Sequence, residues 1–256
     1  MKKVLAVAVA ATALFVGPAQ AITYGTEDGN LHPYVGALVG TFEDGTYPFC
    51  SGSLVSSTVF VTAAHCADEG LLGVTFDAQY TSSSKIHSGT WYQHPGYYGG
   101  ADNPLDVAVI VLDKPVRGPT AEIAPLGLLD EMKAAGTLTQ STQFTSVGYG
   151  AQEDEPPHGW GLPGSTFTYL DTREYAIGYF NALGKGYLKI SQNINTGSGG
   201  TCYGDSGGPQ FLGGPESNLQ VSVTVTGDMF CKSTNVVQRL DIPEVQSWLS
   251  QFVDLG

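Results

Sequence analysis

Gly204-Asp205-Ser206-Gly207-Gly208-Pro209 places one serine inside a run of small residues and turn formers. Glycines on both sides let the backbone turn sharply and leave the Ser206 hydroxyl open to an incoming carbonyl. With no side chain at 204, the backbone N–H groups of Gly204 and Ser206 can point together at a developing oxyanion. A serine hydroxyl is a weak nucleophile by itself, so this reading requires a base and a carboxylate to orient it elsewhere in the chain.

The chain holds five histidines: His32, His65, His87, His94 and His158. His65 alone ends an ordered-looking run, Val59-Phe60-Val61-Thr62-Ala63-Ala64-His65-Cys66, which is apolar and β-branched and closes in small residues. The other four read as surface or turn histidines. Asp106 opens the apolar run Val107-Ala108-Val109-Ile110-Val111-Leu112, whose length and composition predict a buried strand. A carboxylate at the mouth of such a strand is half-buried and needs a partner. Asp102 competes for the role but precedes Asn103-Pro104 in a turn and lacks the apolar strand after it. The order along the chain is therefore His65, Asp106, Ser206.

These motifs resemble those of the secreted trypsin/chymotrypsin-like serine peptidases. The likeness rests on Thr62-Ala63-Ala64-His65-Cys66, on Asp106 with its strand, on the serine motif at 204–209, and on Phe49-Cys50-Ser51-Gly52-Ser53-Leu54. Gly148-Tyr149-Gly150 resembles the family's glycine-aromatic-glycine turn. The resemblance implies an all-β chain of two Greek-key six-stranded barrels with the active site between them and a C-terminal helix. It implies His65 as general base and acid, Asp106 as its orienting group, Ser206 as nucleophile, and the Gly204 and Ser206 amides as oxyanion hole. The substrate would be a protein or peptide, cut through an acyl-enzyme, with no cofactor or metal.

Residues 1–21 read as a secretory signal: Lys2 and Lys3, an apolar stretch, then Ala19-Gln20-Ala21 as a small-x-small cleavage site. The apolar run from Val4 to Val16 is about thirteen residues, short of the ~20 that span a bilayer. The expected location is outside the cell, or the periplasm of a double-membrane bacterium, with no membrane attachment after cleavage. The formal net charge is −13 and becomes more negative once Lys2 and Lys3 leave. Such acidity argues against nucleic acid and anionic membranes as partners. Its plainest meaning is a solvated surface, and a monomer is expected. Four cysteines in an exported chain suggest two disulfides, for which three pairings exist. The family resemblance implies Cys50–Cys66 and Cys202–Cys231. A zinc site is the alternative, but neither CxxC nor HExxH spacing occurs.

Strand-like runs recur at 34–39, 53–55, 59–62, 71–76, 90–92 and 107–112, and again at 143–147, 166–177, 186–190, 210–212, 219–226 and 236–240. Residues 22–125 are expected to form the first barrel, with an N-terminal segment that reaches the second. Residues 126–256 would supply a linker, the second barrel and the helix, in one peptidase domain; the whole stretch 113–140 reads as connection. The helix is predicted from Asp241 as cap, Pro243 in the first turn, and Ile242, Val245, Trp248, Leu249, Phe252 and Val253 on one face, packed against the second barrel. The acidic, proline-rich stretch 153–163 reads as a surface loop.

Cleavage after Ala21 would make Ile22 the N-terminus, in Ile22-Thr23-Tyr24-Gly25. By the family's mechanism its ammonium would pair with Asp205 and order the loop that carries the Gly204 amide. The same pattern makes Gly200 the floor of the primary pocket, with Thr201 beside it and Gly227 on a wall. None of these is acidic, and an uncharged pocket for apolar or aromatic side chains is expected. Val225-Thr226-Gly227 replaces the family's Ser-Trp-Gly, leaving Thr226 or Thr224 to support Asp106. Two other readings use the same residues. One is a secreted ester hydrolase; the other is a non-catalytic homologue that keeps the fold as a binding module.

Overall fold

Strand alternation and glycine turns build two β-barrels. The structure is a computed structural model, and it describes residues 22–100, 104–153, 167–169 and 171–255. The leader, Asp102 with Asn103, and His158 with most of its loop lie outside the described residues.

After β1 (Thr26–Glu27), the first sheet contains β2 (Val35–Phe42), β3 (Gly45–Leu54), β4 (Val59–Thr62), β5 (Leu71–Thr75), β6 (Gly89–Gln93) and β7 (Ala108–Leu112). Their spatial order is β5-β2-β3-β4-β7-β6, and a Val74–His87 bridge draws the two ends together. β8 (Glu122–Ile123) and helix α1 (Leu128–Ala134) follow. The second sheet is made from β9 (Gln143–Gly148), then, past the short pair β10 (Gln152–Glu153) and β11 (Phe167–Thr168), β12 (Glu174–Leu183), β13 (Tyr187–Ser191), β14 (Pro209–Leu212), β15 (Leu219–Gly227) and β16 (Thr234–Arg239). Its order β12-β13-β16-β15-β14-β9 closes through a β12–β9 pairing. Both six-strand rings connect their strands in the same Greek-key order, so the fold expected from the motifs is the fold found. β1 pairs with β12 of the second ring, and β8 adds to β15 in parallel.

Apolar side chains fill both barrels. Val35, Leu38, Phe60, Val109 and Ile110 lie in the first, and Phe144, Leu188, Ile190, Val221 and Val237 in the second. Helix α2 (Pro243–Leu249) buries Val245, Trp248 and Leu249. The expected packing against the second barrel is too narrow, because these residues join a cluster that runs through both barrels. Trp248 sits edge-on to His94, ring centres 5.3 Å apart, and Phe252 meets Tyr92.

Asp241 does not cap its own helix, whose N-cap is Ile242. Its Oδ2 instead accepts the N–H of Leu129 in α1, and both oxygens bind the buried Arg239 guanidinium. α1 itself occupies a stretch expected to be plain connection. His94 and His32 are also corrections, since both are buried rather than on the surface. His32 stacks on Phe211 and contacts Asp28, which is ion-paired to Arg173.

Candidate active site

The turn 204–208 leaves the second barrel and is pinned against the first. Ser51 on β3 donates its N–H to the Ser206 carbonyl at 2.8 Å, and its hydroxyl donates to the Gly204 carbonyl at 3.1 Å. The same hydroxyl accepts the N–H of Tyr149 at 3.1 Å, tying in the 148–150 turn. Gly207 has φ +78, and a Cβ there would lie 2.1 Å from Thr62 Oγ1 and 2.6 Å from the Ala63 nitrogen. Only glycine combines this backbone with so close an approach. The serine turn therefore sits directly against Thr62-Ala63, two residues before His65, and Cys66 Sγ lies 3.6 Å from the Ser206 carbonyl oxygen.

His65 lies in a single 3₁₀ turn, Ala64–Cys66, that ends β4. Asp106 is buried at the start of the neighbouring strand β7, paired to β4 through Thr62 and Ala108. Its Oδ2 is 2.7 Å from His65 Nδ1, and its Oδ1 accepts the His65 backbone N–H at 2.9 Å. The His65 side chain is about one-third exposed. Thr224, one candidate to support Asp106, instead accepts a bond from Gln210 Nε2 at 2.6 Å. The cysteine pairs are Cys50–Cys66 and Cys202–Cys231, one beside each half of this arrangement.

Asp205 is fully buried. Its Oδ1 accepts the Gly150 N–H and its Oδ2 the Cys202 N–H, both at 2.8 Å. A side chain at Gly148 or Gly150 would strike this carboxylate, which explains the glycine-aromatic-glycine turn. Burial pushes the Asp205 carboxyl up to about 7, and the nearby Glu174 adds to the rise. The expected pairing of Ile22 with Asp205 concerns a trimmed chain, in which residue 22 carries an ammonium. The Ile22 side chain is buried, and its nitrogen, a peptide N–H in the full chain, donates to Glu174 Oε2 at 2.9 Å. Thr23 then pairs with Gly200.

A cavity of about 190 Å³ opens beside Ser206. Thr201 and Gly227 line it, while Gly200 is not in its lining and has Gln192 packed against it. Sequence reasoning missed Asp228, which also lines the cavity. Its carboxylate accepts the backbone N–H groups of Lys232, Ser233 and Thr234. These donors outweigh the effect of its partial burial and hold it ionised, below the ordinary aspartate value. A larger cleft of about 460 Å³ lies on the other side of Gly204, between Phe49, Tyr47 and Tyr169.

The family model described as Trypsin matches residues 25–249, nearly all of the described chain. The chain belongs to the trypsin family. Brachyurin of Leptuca pugilator is 31% identical, with 70% of this chain and 76% of that protein covered. Trypsin of Saccharopolyspora erythraea is 29% identical, covering 80% and 86%. Kallikrein-12 of Homo sapiens is also 29% identical, covering 90% and 87%. At the level of the trypsin family the chain is a serine endopeptidase, a hydrolase acting on proteins or peptides. Members of this family are mostly secreted, and two disulfides fit an extracellular protein. Among the described residues no helix is long and apolar enough to cross a membrane.

Proposed function

We propose that this trypsin-family chain cuts peptide bonds through the triad His65, Asp106 and Ser206 and an acyl-enzyme. The observation that carries the reading is the double hold of Asp106 on His65, through Nδ1 and the backbone N–H. That hold fixes one tautomer, with Nδ1 protonated and Nε2 free to take a proton from Ser206 Oγ as it attacks. The backbone N–H groups of Gly204 and Ser206 receive the oxyanion, aided by the positive φ of Gly204, +94. His65 then returns its proton to the leaving amine, and water repeats the sequence to release the acid.

In this reading the pocket takes uncharged side chains: Val225 and the Cys202–Cys231 disulfide give it an apolar lining, and the carboxylate of its lining acid, Asp228, is engaged by backbone N–H groups. Leader removal after Ala21 would leave an ammonium at Ile22, whose nitrogen already meets the buried carboxylate of Glu174, and Glu174 in turn acts on the Asp205 carboxyl. In our reading this ion pair orders the serine turn, and the enzyme is exported and works as a monomer. The test is purified Ser206→Ala assayed on casein and on matched peptide amides and esters. A folded variant should lose nearly all turnover and all labelling by a fluorophosphonate. Full casein hydrolysis by Ser206→Ala would put the chemistry elsewhere, and ester turnover without amide turnover would make the protein an esterase.

A further inference from the structure

The cleft of about 460 Å³ borders the glycine assigned to the oxyanion hole, and the mechanism above leaves it unused. Its lining combines the β2–β3 hairpin, through Asp44, Tyr47 and Phe49, with Tyr169, Asp171 and Gly204. The hairpin rings hold one another in place. Phe42 stacks on Tyr47 with ring centres 4.8 Å apart and meets Phe49 edge-on at 5.4 Å. Tyr169 is 54% exposed, and a Cβ on Gly204 would lie 3.6 Å from its ring. An exposed aromatic ring thus stands within van der Waals reach of the backbone that would receive the scissile carbonyl.

The charged groups of the lining are both negative. Asp44 is exposed in the turn between β2 and β3 and accepts the Tyr47 hydroxyl at 3.2 Å. Asp171 is half-buried at a backbone φ of +54, and among the described residues nothing donates to its carboxylate. Burial accordingly pushes the Asp171 carboxyl up, with no hydrogen bond to offset it. Among the described residues no Lys, Arg or His lines the cleft. A half-buried carboxylate without a partner is unfavourable, and a cation brought from outside supplies what the chain itself lacks.

We propose that this cleft binds an arginine or lysine side chain of the substrate on the amine side of the cleaved bond, at the second residue past the cut. The cavity beside Ser206 and the cleft border the same turn, 202–206, from either side of Gly204. With the acyl-side side chain in the cavity, the chain that leaves the scissile carbonyl in the other direction is the part that passes the cleft. Side chains of an extended peptide alternate in direction. The residue that faces this turn again is therefore the second after the bond, ~7 Å further on. A guanidinium there can lie on the Tyr169 ring while it donates to Asp171, so arginine should lead lysine. A carboxylate would meet two like charges, and a hydrocarbon would leave Asp171 unpaired. The inference rests on Ser206 as nucleophile and adds the amine-side half of the substrate to the acyl-side preference proposed above.

The test is a set of internally quenched peptides with one fixed acyl side that differ only at that second residue: Arg, Lys, Gln, Leu and Glu. Arg should lead Gln and Leu in kcat/KM by about fivefold or more, with Glu slowest, and the lead should shrink in molar salt. Equal rates across the set, or a lead for any residue but Arg or Lys, overturn the proposal. Asp44→Asn combined with Asp171→Asn should bring the Arg-to-Leu ratio close to one, and asparagine tolerates the positive φ at 171. The ratio compares two substrates in one enzyme, so a general loss of activity cancels; an unchanged ratio overturns the cleft. Asp44→Lys, confined to the exposed hairpin turn, should lower the same ratio by about threefold and serves if the double variant fails to fold. Cleavage of none of the peptides would fail the Ser206 reading instead. The cleft is then read from peptide binding to Ser206→Ala, where Arg should bind tighter than Leu and Leu tighter than Glu, and equal Kd values would sink it too.

Discussion

Asp106 Oδ2 lies 2.7 Å from His65 Nδ1, and Oδ1 accepts the backbone N–H of the same residue. One carboxylate thus fixes both the ring tautomer and the position of the loop carrying it. Asp106→Asn keeps the size but offers an N–H where an acceptor is needed, which turns His65 to the wrong tautomer. We expect kcat to fall by about 10⁴-fold with KM little changed. Steady-state kinetics on one peptide amide checks this; a loss under tenfold would remove Asp106 from the mechanism.

Gly207→Ala tests the contact between the barrels. Its Cβ would overlap Thr62 Oγ1, the Ala63 nitrogen and the Ser51 carbonyl oxygen, at a backbone angle that alanine disfavours. Backbone atoms cannot swing away as a flexible side chain can. The expected outcome is a destabilisation of more than about 2 kcal/mol in urea unfolding, together with lost activity. Wild-type stability in this variant would mean the turn is looser than described.

The motifs made the cleft legible because its chemistry is local: His65 and Ser206 each announce themselves through their neighbours in sequence. Alternation and turn residues likewise revealed most strands of both rings. What stayed hidden depends on partners far along the chain. Helix α1 has no capping side chain of its own and borrows Asp241, 112 residues away. His32 reads as a turn residue until Phe211 and Asp28 enclose it. Asp44 and Asp171 look like ordinary turn acids, and they line one cleft only once two distant chain segments meet.

Arg173 joins three parts of the molecule. Its Nε donates to Asp28 at 2.7 Å, its guanidinium also donates to the Gly29, Val35 and Phe76 carbonyls, and it reaches the Tyr149 hydroxyl. The side chain is buried, so Arg173→Met strips a cation from a buried carboxylate and leaves several carbonyls unmet. Breaking such a pair costs about 3–5 kcal/mol. Chemical denaturation should show that loss for Arg173→Met, and much less for Arg173→Met combined with Asp28→Asn. Equal losses in the two variants would show that the ion pair is not what the arginine contributes.

Asp205 gives the folded chain a pH signature. Its carboxyl rises from 3.8 to about 7 on burial, so between those values the folded state binds more protons than the unfolded one. Stability from this group is therefore full below about pH 4, falls as pH rises toward 7, and is level above; at ~1.4 kcal/mol per pKa unit the whole change is at most about 4 kcal/mol. Urea unfolding of the full-length Ser206→Ala protein across pH 4–8, where autolysis is absent, should show this decline. Asp205→Asn, with nothing to titrate, should flatten it. In a chain trimmed to begin at Ile22, an ammonium beside Glu174 and Asp205 favours the ionised carboxylate and should remove the decline as well. A trimmed protein with the full decline intact would show that its new terminus never reaches Asp205.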